Sequence, residues 1–560
     1  MKVSEIKYER YTIEQAQEAY NKFEEAISAA KCAQDIVEAR KIILGLIVEF
    51  STASSLSYMR YSLNTRDEFY IGEKNYYDQI TPLVAELQVK YCEHMLDNPY
   101  RAELDKLLNP ILFKGYEIAK LAHDPRNIED EQLENAIVTE YSILMSQMLL
   151  DYNGKQVPLS IVRGDLTACD RAVRVAAMES IGKGLEQNAE KLDDIFDRLV
   201  KVRDRQAKRL NLNSFVELGY YRMNRIDYDR AMIEDFRKNV LTDLVPVVAK
   251  LKAKVAERLG IRKVMLYDNE VFSATGNARP KAGKEGIFEA AVQMYDSMDP
   301  EIGAFMRSMM AAEAFDVDAR EGKWGGGYCT EFAKYKQTFI LANFNGSSDD
   351  IDVITHEFGH AFAMNHSMKH GDVEMAIGSM ETAECHSMSM EFLSWKYMDK
   401  FFEEPQKYKF QHLGSSLSFI PYGVIVDEFQ HIIYENPALT PAERNEEWNK
   451  LEQKYRPYLS TEGIPYLEKG TRWQYQMHIY EMPFYYIDYC LAQTVAFGFL
   501  AESRKDYDDA LRRYINFAAA GGTKLFSALV KEANIANPFG KGTLKSVAAE
   551  INTLLEELTE

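Results

Sequence analysis

Apolar residues recur at helical spacing over long stretches of this chain. The segment 12–50 reads as two helices. The segment 185–210 reads as another, with Leu192, Ile195, Leu199 and Val202 on one side. Strand signals are few. Asn153-Gly154 lies between the apolar stretches 149–152 and 157–162, which predicts a small hairpin. The run 338–344 is β-type and is entered from Gly325-Gly326-Gly327-Tyr328. No internal repeat and no low-complexity linker interrupts the pattern. It predicts a mainly α protein with one small β-sheet near residues 325–345. An N-terminal helical domain over 1–175 is expected before a longer C-terminal domain over 176–560.

Composition narrows the class. Gly 30 and Pro 16 are low counts for 560 residues, and 46% hydrophobic residues are enough for a large buried core. The net charge of −20, from 86 acidic and 66 basic residues, repels nucleic acid and anionic membranes. The first ten residues carry no apolar signal-peptide core, and no run of about 18 apolar residues suggests a membrane span. Six widely spaced cysteines without a CxxC pair argue against a disulfide framework, so reduced thiols in a cytoplasmic protein are expected.

The strong chemical signal is His356-Glu357-Phe358-Gly359-His360, an HExxH motif. On a helix, residues four apart lie about 40° apart and one turn along, so both imidazoles can reach one ion. Glu357 projects beside that ion, where it can take a proton from water. Ser347, Ser348, Asp349 and Asp350 provide a helix start after Asn345-Gly346, and Ile351, Ile354, Phe358 and Phe362 mark its buried stripe. Gly359 costs that helix about 1 kcal/mol relative to alanine, which points to close approach of another backbone.

A third ligand has several candidates. His366 sits ten residues after His356, as in HExxHxxGxxH, but Ala363 replaces the glycine at which that motif breaks its helix. If the helix continues, His366 points about 100° away from the pair. In a second helix, Glu384, Ser387, Met388 and Glu391 share one face, which could bring one carboxylate to the ion and keep another behind it to orient a ligand histidine. Glu381 shares the face and remains an alternative by spacing. Glu374 reads as a solvated loop charge.

HEFGH followed 24 residues later by Glu-x-x-Ser-Met-x-x-Glu resembles the oligoendopeptidase F and thimet oligopeptidase family, especially its shorter Pz-peptidase-like bacterial members. The likeness extends back to residues 325–330 and 339–343 and forward to 478–489; the N-terminal half matches only in length and helical character. The resemblance implies Glu384 as the third ligand of one zinc per chain, beside His356 and His360, and Glu357 as general base; Ser387 and Glu391, on the face of Glu384, are expected behind the ligands. It also implies a helical fold whose two halves enclose a deep channel that admits short peptides and excludes folded proteins.

The segment 478–489 is dense in histidine and tyrosine. Tyr486 and Tyr489 share a helical face, and His478 lies just before it. Such groups suit hydrogen bonding to the oxyanion formed when water attacks a carbonyl. The family has a histidine and tyrosines from this region opposite the metal, at slightly different spacing, so Tyr485 stays beside Tyr486 and Tyr489 as a candidate. Phe339, Leu341 and Asn343 are expected on an edge strand that pairs with an extended peptide. The expected activity is zinc-dependent hydrolysis of internal peptide bonds. Its rivals are a metallocarboxypeptidase of similar architecture and a non-catalytic peptide-binding scaffold; Glu357 argues against the latter, because metal binding alone needs no base.

Overall fold

The computed structural model describes residues 1–376 and 378–558, and helices dominate it. The first two expected helices are Ile13–Ala29 and Ala33–Leu63. Thr12 opens the first with a reciprocal cap: its hydroxyl accepts from Gln15 N–H and Gln15 returns the bond to Thr12 N–H. Helix Ala33–Leu63 is long and apolar enough to cross a membrane by composition. Here its apolar positions pack against Ile13–Ala29, Glu68–Leu96 and a sheet strand.

The segment 185–210 is not one helix. It divides at Asn188 into Arg171–Gln187 and Ala189–Arg209, and Asn188 caps the first by donating to the Gly184 carbonyl. The apolar periodicity survives the break, which is why the pattern alone does not reveal it.

Strands are short and form three small sheets among the described residues. The hairpin β1 (Leu149–Tyr152) and β2 (Lys155–Pro158) turns at Asn153 and Gly154, both with positive φ of 53° and 74°. That is the geometry an Asn-Gly pair favours. A two-residue parallel contact joins β3 (Val264–Met265) to β7 (Leu459–Ser460). The third sheet contains β4 (Phe315–Asp318), β5 (Tyr328–Phe332) and β6 (Gln337–Phe344) in the order β4-β6-β5. Strand β6 is therefore central, not an edge: β4 pairs with it in parallel and β5 antiparallel. The outer strand on the side of the glycine loop is β5.

The main apolar core runs through both the N-terminal and C-terminal parts, from Val3 to Leu555, and a satellite core forms among residues 16–116 with Met375. A buried ion cluster ties this satellite to the segment between the two site helices. Arg40, 4% exposed, reaches Asp372 at 2.8 Å and Glu374 at 2.6 Å. Glu374 also accepts from Tyr91 at 3.0 Å and Tyr116 at 2.9 Å. Glu374 is thus a half-buried tether and not the solvated charge its loop context suggested.

Candidate metal centre

Two crossing helices build the centre: Asp349–Ser367 carries His356, Glu357 and His360, and Met380–Leu393 carries Glu384. Asp350 secures the first helix start by accepting from the backbone of Asn345 and Gly346, both at 2.8 Å. The helices approach closely at Gly359. A Cβ there would lie 2.5 Å from the His386 carbonyl oxygen and 2.7 Å from the Ser387 Cα. Only a glycine lets these backbones meet so closely, which accounts for its presence within a helix.

The closeness brings ligand atoms of His356, His360 and Glu384 within 4.8 Å of one another. Glu384 Oε2 lies 3.4 Å from Nε2 of each histidine. Burial opposes ionisation of Glu384, but His360 and His356 outweigh it and hold the carboxyl well below its usual range. Ser387 Oγ donates to Glu384 Oε2 at 3.0 Å. Behind His356, Nδ1 faces Glu391 Oε1 at 2.7 Å, and Glu391 Oε2 faces His412 Nε2 at 2.8 Å. Trp395 Nε1 completes the chain by donating to His412 Nδ1 at 2.9 Å.

This arrangement suits a metal ion. Glu391 accepts the Nδ1 proton of His356, which leaves Nε2 bare beside His360 and Glu384. Two imidazole nitrogens and one carboxylate form a zinc-type donor set that leaves a position for water. His366 is elsewhere, with Nε2 at 3.6 Å from Glu301. Glu381 accepts from Ser379 and lies near Asp488 and Arg225, outside the cluster. Glu357 is 7% exposed, and its burial raises its carboxyl pKa against the pull of His356 and His360.

Opposite stands the His478 segment, held from below by buried arginines. Arg203 donates to the Tyr480 carbonyl at 2.6 Å, while Arg225 donates to the Phe484 carbonyl. Phe484 has a positive φ of 68°, a costly conformation for a phenylalanine, and its N–H is secured by Gln430 at 2.9 Å. That turn directs Tyr485 into the centre, where its hydroxyl donates to Glu384 Oε1. His478 is flanked by the rings of Tyr485, Tyr486 and Tyr489 at 5.8, 5.0 and 5.8 Å. Burial lowers the His478 pKa to about 4, so its ring is neutral near neutral pH.

The three tyrosines separate by their surroundings. Burial raises all three phenols; Glu384 adds to this for Tyr485 and Tyr489, whereas Tyr422, Arg472 and Cys490 act on Tyr486. The charge of Glu384 thus bears on Tyr485 and Tyr489, while Tyr486 packs against Tyr422, Phe419 and His478. Helical spacing shows that Tyr486 and Tyr489 share a face but not which face meets the metal ligands.

Phe339 and Leu341 are buried within the sheet, and Asn343 donates to the carbonyls of Trp324 and Gly326 at 2.9 and 2.8 Å. Asn343 thus ties the strand to the glycine loop, and β6, paired on both sides, has no free edge for an extended peptide. The loop itself reaches the centre: a Cβ on Gly327 would lie 3.6 Å from Glu357 Oε1. The pattern of 338–344 identifies a strand but cannot identify its neighbours, and β4 is too short to announce itself. His412, Trp395 and Tyr485 were likewise absent from the expected set or left among alternatives. His412 lies on Pro405–Glu435 with no motif spacing to the metal helix.

A cavity of about 700 Å³ lies against the N-terminal helices, lined by Tyr91, Arg222, Glu374, Ser379, Glu381 and Phe526 among others. Glu381 is one helical turn before Glu384.

Helical architecture, crossing HExxH and glutamate helices, and a facing histidine–tyrosine segment define a peptidase-type metal centre. Residues 166–549 match peptidase family M3, and residues 3–122 match the peptidase M3 N-terminal domain. The chain belongs to peptidase family M3. It superposes on a solved structure of Pz peptidase A with an inhibitor with a TM-score of 0.97, at 40% identity, covering 99% of both chains. A crystal structure of an oligoendopeptidase F from Bacillus anthracis str. Ames gives a TM-score of 0.92 at 37% identity, covering 100% of this chain and 98% of that one. The oligopeptidase PepF of Bacillus subtilis (strain 168) is 23% identical over 423 residues, 72% of this chain; the match spans only 59% of that relative's length.

Proposed function

We propose that the protein is a zinc-dependent oligoendopeptidase, cytoplasmic, with one zinc per chain and short peptides as substrates. The observation that carries this reading is the convergence of His356, His360 and Glu384 within 4.8 Å beside the buried Glu357. Similarity to Pz peptidase A and to oligoendopeptidase F over nearly the whole chain supports it. The division into an N-terminal helical domain, 1–175, and a catalytic domain, 176–560, is kept as part of the proposal.

His356, His360 and Glu384 would hold the ion, with Ser387 and Glu391 orienting them. When bound there, zinc supplies a Lewis acid that acidifies water and polarises a carbonyl. Glu357 takes the proton of the attacking water and passes it to the leaving amine. His478, Tyr489 and Tyr485 donate to the oxyanion. As an outer strand reached from the glycine loop beside Glu357, β5 would offer main-chain hydrogen bonds to an extended peptide, which gives affinity with little sequence preference. The cavity against the N-terminal helices forms part of a channel that admits peptides and keeps folded proteins out.

Mass-spectrometric digestion of a mixed peptide library, with and without chelator, tests this. Internal cuts in peptides with blocked C-termini, abolished by the chelator, are expected. Release of single C-terminal residues only, or rapid degradation of whole casein, would overturn the reading.

A further inference from the structure

A donor role for His478 requires its proton on Nε2, and the surroundings of the ring select that tautomer. Nδ1 of His478 lies 2.9 Å from Gln476 Nε2. The other end of this amide is also engaged: Gln476 Oε1 accepts from the Tyr422 hydroxyl at 2.6 Å. Tyr422 is buried on helix Pro405–Glu435, and its ring centroid lies 4.1 Å from the Arg472 guanidinium and 4.9 Å from that of Arg456. Cations against a phenol ring draw electron density from it and make its hydroxyl a better donor. A donating phenol keeps the amide oxygen toward Tyr422 and the NH₂ group toward His478. Nδ1 then faces a donor, so it must be the bare nitrogen, and a neutral imidazole carries its proton on Nε2.

The backbone holds Gln476 in place for this. Its N–H donates to the Trp473 carbonyl at 3.0 Å and its carbonyl accepts from Ile479 N–H at 3.0 Å. The rings of Tyr485, Tyr486 and Tyr489 surround His478, and the charge of Glu384 bears on it. His356 provides the internal contrast. Its Nδ1 faces the Glu391 carboxylate, an acceptor, and its bare nitrogen is therefore Nε2. One histidine is prepared to bind an ion and the other to donate a proton.

We propose that Gln476, oriented by Tyr422, is a positioning residue that holds His478 as the Nε2–H tautomer, directed at the oxyanion. This rests on the donor role of His478 given above. Gln476→Glu keeps an acceptor for Tyr422 but presents an acceptor to His478 as well. Nδ1 must then carry a proton, and Nε2–H persists only in the imidazolium.

The test uses the full-length, zinc-loaded protein labelled with ¹⁵N-histidine, with the His478 signals assigned by their loss in His478→Gln. The parent is expected to show a pyridine-type Nδ1 and a pyrrole-type Nε2. In Gln476→Glu the two should exchange character at high pH, and kcat should fall as pH rises through the new His478 pKa. A loss of about 10-fold or more at neutral pH, with KM within a few-fold and zinc retained, is expected. Tyr422→Phe should show mixed tautomers and an intermediate kcat. If Gln476→Glu does not fold, Gln476→Met carries the test: both tautomers populated and kcat reduced. A pyrrole-type Nδ1 in the parent overturns the proposal, as does a parental pH profile in a folded Gln476 variant. Full turnover in His478→Gln overturns the donor role itself, while the spectrum separately decides the tautomer.

Discussion

Gly359 rests against His386: a side chain at 359 would collide with that residue's carbonyl oxygen at 2.5 Å. The contact sets the separation of the two helices that carry His356, His360 and Glu384. Gly359→Ala must push backbone from backbone, since no flexible side chain can yield. A destabilisation of about 1–3 kcal/mol or more is expected, together with weakened zinc binding. Thermal unfolding of the apo and metal-loaded forms measures both, and the metal-dependent gain in Tm should shrink.

The ligand set predicts about one zinc per chain. Elemental analysis after dialysis should show metal lost from Glu384→Ala and retained in Glu381→Ala and His366→Ala, because the last two side chains lie outside the cluster. Glu391→Gln should weaken zinc affinity by about 10–100-fold, since the carboxylate that orients His356 loses its charge.

Glu357→Gln keeps the shape of the side chain but removes the base. Zinc content should match the parent while turnover falls by about 10² or more. Peptide affinity should survive, because the β5 edge and the oxyanion donors are untouched. Isothermal titration with a slowly cleaved peptide and steady-state kinetics separate these effects.

The tyrosines should differ as their positions do. Tyr489→Phe is expected to retain zinc and lose about 10²–10³ in turnover. Tyr485→Phe should reduce turnover and also weaken zinc, since its hydroxyl donates to Glu384. Tyr486→Phe, whose ring faces Tyr422 and Phe419, should remain within a few-fold of the parent.

Arg40→Met leaves Glu374 and Asp372 without their buried cation. A loss of about 3–5 kcal/mol is expected. Urea unfolding followed by tryptophan fluorescence and by limited proteolysis of the N-terminal helices should show a lowered midpoint. Replacing Arg40 and Glu374 together with apolar residues should restore part of it, because the cost is that of an unpaired buried charge.

Local chemistry carried much of this protein into its sequence. HExxH spacing is a property of one helix, so His356, Glu357 and His360 needed no tertiary information. The Asn153-Gly154 turn and the Thr12 cap are equally local, and both formed as their residues dictate. Glycine at 359 even announced that another backbone must come close. Which backbone, and which of Glu381 and Glu384 it would bring, depended on how the second helix rotates against the first. Spacing along one helix is blind to that rotation.

The same limit governs the remaining differences. Tyr485, Tyr486 and Tyr489 are consecutive or one turn apart, and the left-handed turn at Phe484, secured by Arg225 and Gln430, decides which of them faces Glu384. Strand β6 could be recognised from its own residues, but its central position comes from β4 and β5 pairing on either side. Glu374 became a half-buried tether because Arg40, Tyr91 and Tyr116 converge on it from distant helices. Contacts between groups hundreds of residues apart carry no periodic signature in the chain. Tertiary packing chose the partners, while the sequence had already chosen the chemistry.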